Sequence, residues 1–343
     1  MKYAGDYLVT DMLSTPLKWC TDKDITVINQ SWHTLKDYGT ITKGGISYGY
    51  DSQNSGNLTF DDQYIDLVAS TYPYPTFCQA SGNFNYDTLG NITNPNEYVN
   101  HKGYNTIVIG QDLRDGGISS SSVYRNPVST QELPHVTCGV SVNPGTSVFE
   151  RPDGTSVVTQ SGGTSIASAM CAGFVASLQS ADTTILKHSP WAIRALLMSG
   201  ADNILGSVWS DNSSSDQRDG AGRLNGINSL LSAIAPYSTG VGMEHGFYIS
   251  EIATNSSLTK DVPIIVQNPS INNAPNNGNL RIALSWIGNV NSSTYVSSLS
   301  DLDLELIGPD NQVIARSASL VNPVEMVTII NAQKGQQYTI RIK

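Results

Sequence analysis

The sequence has no apolar run approaching the length of a membrane span. Its first residues, "MKYAGDYLVTDML", lack the uninterrupted apolar core of a signal peptide. Either the chain is not exported, or its export signal lies outside these residues. Charge is scarce, with only 14% of residues charged, and the balance is acidic at a formal −10. No lysine or arginine cluster offsets it, which excludes nucleic acid and anionic membranes as expected partners. The four cysteines (Cys20, Cys78, Cys138 and Cys171) form no CxxC pair and show no metal-ligand spacing. They read as mostly buried free thiols. Disulfides stay open, because pairing needs a geometry that sequence does not contain. The five histidines are scattered and none forms an HExxH pair.

What is present is enough for a large core. A chain of 343 residues that is 39% hydrophobic reads as two domains, or one with an appendage. The polar remainder is rich in Ser, Thr, Asn and Gly, a mix that fits loop-rich or β-rich extracellular proteins. Two textures divide the chain near "PYSTGVG", giving expected domains 1–238 and 239–343. In the first, Asp24 to Trp32, Thr71 to Asn83 and Tyr104 to Asp112 read as strands, and Phe60 to Ser70 reads as a helix. That alternation predicts βαβ units and a parallel sheet. Further helices follow from Ile166, from Ser189 (an N-cap before Pro190) and through Leu224, Ile227, Leu230, Leu231 and Ile234. In the second, short alternating runs end in turn clusters such as "GPDNQ" and "QKGQQ", which predicts an all-β sandwich.

The chemistry is concentrated in "SGGTSIASAMCAG", Ser161 to Gly173. Ser165 stands in a Gly-Thr-Ser turn at the start of a helical pattern. Unpaired N–H groups at a helix start can bind a developing oxyanion. Gly162 and Gly163 leave room for a substrate carbonyl. A second donor is expected from another loop. Asn83, in "ASGN" at the end of a predicted strand, is the candidate, because open α/β sheets bind ligands at that edge. Taken singly, a Gly-Thr-Ser turn often only caps a helix, and an Asn after Gly often only sits in a turn.

Together and in order, these stretches resemble the subtilisin-like serine peptidases. "GTSIASAMCAGFVASL" is similar to the family's serine signature, "FCQASGN" to the strand and loop bearing its oxyanion asparagine, and "LKWCTDKDITVINQSW" to the helix and strand before its substrate-binding segment. "YNTIVIGQD" resembles the following strand, and "RDGAGRLN" the start of the last helix of the catalytic domain. The stretch from "LRIALSWIG" to "QQYTIRIK" is similar to the sandwich appended to many secreted members. The resemblance implies an α/β fold, a subtilisin-like parallel sheet flanked by helices and lacking its N-terminal strands, followed by a C-terminal all-β jelly-roll-like sandwich. It implies Ser165 as nucleophile and Asn83 as the oxyanion side chain. Ser31, Trp32 and His33 would form the edge that pairs with an extended peptide, and Ser81 and Gly82 would wall the pocket for the side chain before the scissile bond. A polypeptide is the implied substrate, and the implied location is extracellular or at the cell surface.

Two of the family's motifs are not found. Its chain order is Asp, His, Ser, and "MKYAGDYLVTDMLSTPLKWCTDKD" holds neither an Asp-Ser/Thr-Gly nor a His-Gly-Thr-His run. His33 is a cleft-edge polar residue, or else a substitute base. His101, His135, His188 and His245 follow no family role. The expected partner is therefore an upstream segment of the same protein, which would also cover the apolar edge of the strand at Ile25 to Ser31. A serine without its base and acid keeps only a residual ~10³–10⁴-fold acceleration, a magnitude established on subtilisin itself. The chain alone is expected to be nearly inactive. The alternative is an inactive relative that binds extended peptides as a scaffold. No cofactor is required for the chemistry. Asp301, Asp303 and Glu305 alternate with leucines, so they read as a solvated strand face or as oxygen ligands for structural Ca²⁺.

Overall fold

The computed structural model describes residues 7–32, 40–43, 45–49, 56–113, 116–124, 131–140, 145–150, 153–205, 218–235, 237–252, 259–267 and 277–343. The first half runs α1 (Tyr7–Asp22), β1 (Val27–Gln30), a hairpin of β2 (Thr40–Lys43) and β3 (Ile46–Gly49), α2 (Phe60–Ala69), β4 (Thr76–Ala80), β5 (Ile107–Leu113) and β6 (Val136–Val140). A second hairpin follows, β7 (Gly145–Glu150) with β8 (Ser156–Ser161), then α3 (Thr164–Ala181), α4 (Pro190–Gly200) and α5 (Gly226–Ala233). Strands β1, β4, β5 and β6 form one parallel sheet in the order β1-β4-β5-β6. This is the α/β architecture expected. The strand expected over Asp24 to Trp32 contracts to Val27–Gln30, and neither hairpin was anticipated.

Alternation along the strands divides the core in two. On one face, Cys78, Ile107, Ile109, Val136 and Cys138 pack beneath α3 and α4, against Ala167, Cys171, Val175, Leu178, Ile193 and Leu197. On the other, Phe77 meets Leu17 of α1 and Ile65, Val68 and Ala69 of α2. Strand β4 is buried on both faces, as a central parallel strand should be. All four cysteines are free, three of them buried.

Ser189 is the N-cap of α4 and Pro190 opens the helix, as the sequence indicated, with the Ser189 hydroxyl donating to the Ile185 carbonyl rather than to the helix start. One local expectation is corrected. The apolar stripe of α5 faces outward, with Ile227, Leu230, Leu231 and Ile234 exposed and Ser229, Ser232 and Ala233 buried. The reason is the close approach of α5 to α4. A Cβ placed on Gly200 would lie 2.5 Å from Ser229 Oγ, so only small side chains fit between the two helices.

From β9 onward every regular element among the described residues is a strand. These are β9 (Gly242–Met243), β10 (Lys260–Val266), β11 (Asn277–Ser285), β12 (Asn289–Val290), β13 (Ser297–Ser298), β14 (Leu304–Ile307), β15 (Val313–Ser317), β16 (Val324–Gln333) and β17 (Gln337–Ile342). A five-stranded sheet, β15-β14-β17-β10-β9, faces the β11-β16 pair across a core of Val266, Leu304, Leu306, Val327, Ala332 and Tyr338. Among the described residues, no helix is long and apolar enough to cross a membrane.

Buried polar groups join this sandwich to the first half. Arg194 of α4 is 2% exposed. Its guanidinium donates to the carbonyls of Tyr104 (2.5 Å) and Thr106 (3.2 Å) on one side. On the other it reaches Ser285 Oγ (2.9 Å) and the carbonyls of Trp286 (2.7 Å) and Pro323 (3.2 Å). Burial lowers its pKa to about 9. Nearby, fully buried Asp66 accepts from the Tyr104 and Asn105 amides and from Ser297 Oγ of β13. Burial raises the Asp66 pKa to about 6, against the pull of those donors.

That shift has a sign. The folded-state pKa lies above the unfolded-state value, so Asp66 contributes most below about pH 4 and its contribution is lost as pH rises through 6. The loss amounts to about 3 kcal/mol. Denaturant melts between pH 4 and 7 should show this decline in the wild type and a flattened profile in Asp66→Asn. An equal slope in both would refute the assignment.

Candidate functional site

Helix α3 begins at Thr164, with Gly163 as its N-cap at φ +100°. This places Ser165 in the first turn, where backbone N–H groups have no intrahelical acceptor. Three polar rungs tie α3 to β1 and its exit. Thr26 Oγ1 donates to Gln179 Oε1 at 2.7 Å, and Ser168 Oγ donates to Asn29 Oδ1 at 2.7 Å. At the top, Ser165 and Ser31 bond reciprocally. Ser165 Oγ donates to the Ser31 carbonyl at 3.2 Å, and Ser31 Oγ donates to the Ser165 carbonyl at 2.9 Å. Asn29 Nδ2 supports Ser31 Oγ at 2.9 Å.

Asn83 closes the site from the β4 side. Its Oδ1 accepts from the Thr164 amide at 2.9 Å and from Thr164 Oγ1 at 3.3 Å. The carboxamide is thereby oriented with its oxygen on the helix start, which leaves Nδ2 as the free-facing donor. The Gly82 amide donates to Thr164 Oγ1 at 3.2 Å. Two left-handed glycines make this possible. A Cβ on Gly163 would lie 3.0 Å from Asn83 Oδ1, and one on Gly82 (φ +114°) would lie 2.6 Å from Asn100 Nδ2. The loop after β5 fixes the far side, where Phe84 N–H donates to the Ser121 carbonyl and Val123 N–H to the Gly82 carbonyl.

The structure therefore brings together Ser165, Asn83, Ser31, Ser81 and Gly82. Trp32 lies at the same edge with half its surface exposed, and Ser81 is fully buried. His33 lies outside the described residues. What the hydroxyl of Ser165 reaches is a carbonyl, which accepts a hydrogen bond but cannot take a proton. Among the described residues, no histidine ring accepts from it. His135 is fully buried, with Nδ1 accepting from the Val108 amide, and burial holds its pKa well below the usual range. His188 bonds the Pro73 carbonyl. His101, read from sequence as a loop residue without a role, meets the Trp32 carbonyl at 2.9 Å. No local motif announces that contact, because 69 positions separate the two residues.

Two of the three sandwich carboxylates share a cation: Arg316 pairs with Asp303 at 2.6 Å and with Glu305 at 3.8 Å, Glu305 also pairs with Lys343 at 2.7 Å, and Asp301 and Asp303 precede β14 rather than alternate along it. Among the described residues, no group of three His, Cys, Asp or Glu side chains could hold a metal ion.

A peptidase-like turn on a parallel α/β sheet defines the class. The profile of the Subtilase family matches residues 5–225, and the chain belongs to that family. No curated protein matches the chain. Similar solved structures include a serine-to-alanine variant of the protease domain of PatA, at 16% identity and a TM-score of 0.42 over 64% of each chain. The prenylagaramide maturation protease PagA shares 16% identity (TM-score 0.41, 64% of this chain and 66% of that one). MycP1 with its N-terminal propeptide removed shares 14% (TM-score 0.40, 66% and 68%). The chain thus spans just under two thirds of the length of the first two.

Gly163→Ala should destabilise the fold by about 1–3 kcal/mol and push Asn83 off the helix start. Gly154→Ala is the control, at φ +79° with nothing within 4 Å of the added Cβ. Urea melts should show the Gly163 variant to be the less stable of the two by at least ~1 kcal/mol. Equal losses would mean that the contact with Asn83 is not close.

Proposed function

We propose that this chain carries the nucleophile and oxyanion half of a serine endopeptidase. Ser165 Oγ attacks the scissile carbonyl carbon, and the negative charge that develops on its oxygen is met by Asn83 Nδ2 and the Ser165 amide. The C–N bond then breaks, the amine leaves with a proton, and water hydrolyses the acyl-enzyme on Ser165. The substrate is an extended polypeptide, bound along Ser31 and Trp32 with its side chain between that edge and Ser81–Gly82. The observation that carries this reading is the position of Ser165, in the first turn of α3 between the Ser31 carbonyl and Asn83. The base that must take its proton, and the acid that orients that base, are assigned to an upstream segment of the same protein. The reading extends to an extracellular setting.

A second reading is a peptide-binding scaffold without catalysis. It is favoured by one observation, that the Ser165 hydroxyl rests on a carbonyl rather than on a base.

The two separate cleanly in one assay. The chain is produced joined to its upstream coding region and given a peptide-anilide substrate, with Ser165→Ala as control. Cleavage that falls by about 10⁴-fold or more in the variant supports the endopeptidase. Absence of Ser165-dependent cleavage, with peptide binding intact in both proteins, rejects it in favour of the scaffold.

A further inference from the structure

The peptide-binding edge is held from two sides, and only one of them involves the nucleophile. Ser31 is fixed to α3 through Ser165. Trp32, the next residue, is fixed from the opposite face of the sheet by His101. His101 is 4% exposed. It follows Asn100, whose amide donates to the Ser81 carbonyl at 2.9 Å and whose side chain packs under Gly82. The Asn100–His101 pair thus spans from the end of β4 to the exit of β1, touching both proposed walls of the substrate cleft.

The hydrogen bonds define the ring. The Trp32 carbonyl can only accept, so His101 Nε2 carries the proton. Gln79 Nε2 lies 3.3 Å from His101 Nδ1 and can only donate, so Nδ1 is the acceptor. The other hydrogen of Gln79 Nε2 goes to Gln30 Oε1 at 2.8 Å. Gln30 and Gln79 are register partners on β1 and β4 and are both buried. The relay runs from the sheet interior to the edge: Gln30, Gln79, His101, Trp32. The sense is set from the Trp32 end: that carbonyl takes Nε2–H, the neutral ring then accepts at Nδ1 from Gln79 Nε2, and Gln30 Oε1 takes the remaining hydrogen.

Resting on the endopeptidase or scaffold reading of this edge, we infer that His101 is a positioning residue for peptide binding. Its Nε2–H fixes the orientation of the Trp32 carbonyl before any ligand arrives. The edge then pays less ordering entropy on pairing with an extended chain. An aliphatic side chain at 101 would fill the space but leave the carbonyl free to rotate. A glutamine could replace the donor, since its Nε2 reaches about as far as that of the imidazole.

The test is the dissociation constant of a fluorescently labelled, blocked hexapeptide, measured by anisotropy on the full chain. His101→Ala should raise it about tenfold. His101→Gln should return it to within about threefold of the wild type. Gln79→Leu, which leaves the ring without its Nδ1 donor, should weaken binding by an intermediate factor. Thermal melts run alongside: a structural role alone would lower the melting temperature of the alanine variant without restoration of binding by glutamine. If His101→Ala does not fold, the Gln79→Leu and His101→Gln pair decides. Wild-type binding that is indifferent to all three variants overturns the inference and leaves the edge reading intact. No binding by the wild type to any extended peptide overturns the edge reading and this inference with it.

Discussion

The structure depends on how α3 is docked to β1. A helix lying on a sheet by apolar contact alone is free to slide by a fraction of a turn, because dispersion is not directional. Here the apolar face of Ala167, Cys171, Val175 and Leu178 supplies most of the attraction. The polar rungs supply the register. Gln179 meets Thr26, Ser168 meets Asn29, and Ser165 meets Ser31, so the helix descends as the strand rises. Because these groups are wholly or partly buried, a slip that broke them would leave donors and acceptors unpaired, at roughly 1–3 kcal/mol each. The position of the Ser165 hydroxyl is therefore set by contacts that reach to the far end of the helix.

The same logic holds the two halves of the chain together. Arg194 takes backbone carbonyls from both sides of the junction, and Arg281 of β11 reaches back to the carbonyls of Ala201 and Ala221. These carbonyl oxygens lie in loops or just beyond element ends, and that of Pro323 also accepts from the Trp286 amide. A buried guanidinium with five donors satisfies several at once and ties loops that no continuous strand connects. Val324 and Met326 of β16 join the core that lies under α3 and α4, so apolar packing also crosses the junction. The sandwich thereby braces α4, which packs beside α3.

Local signals were legible in the sequence where one residue type meets one backbone demand. Gly163 before a helix start and Gly82 after a strand both take left-handed conformations, and both frame the site that "SGGTS" and "ASGN" mark. The parallel sheet was legible from buried apolar runs such as that of β5. Three things were not. Periodicity placed Ile227, Leu230, Leu231 and Ile234 on one face of α5 but could not say that the opposite, serine-bearing face meets α4. The carboxylates at Asp303 and Glu305 looked available, yet their partners arrive from distant positions, Arg316 from β15 and Lys343 from just past β17. His101 carried no motif, and its partner Trp32 is known only once β1 and β4 are side by side. Pairings between distant segments are products of the fold, and composition holds no trace of them.

The central claim is that the exit of β1, the turn after β4 and the start of α3 form one peptide-binding cleft around Ser165. Hydrogen exchange with and without a saturating extended peptide tests it most directly, because strand pairing protects the amides of the edge it uses. The account predicts added protection confined to the Ser31–Trp32 edge, because the Ser81 and Gly82 amides already donate to the Ile109 carbonyl and to Thr164 Oγ1. Protection appearing instead on the sandwich, or on the exposed stripe of α5, would contradict it.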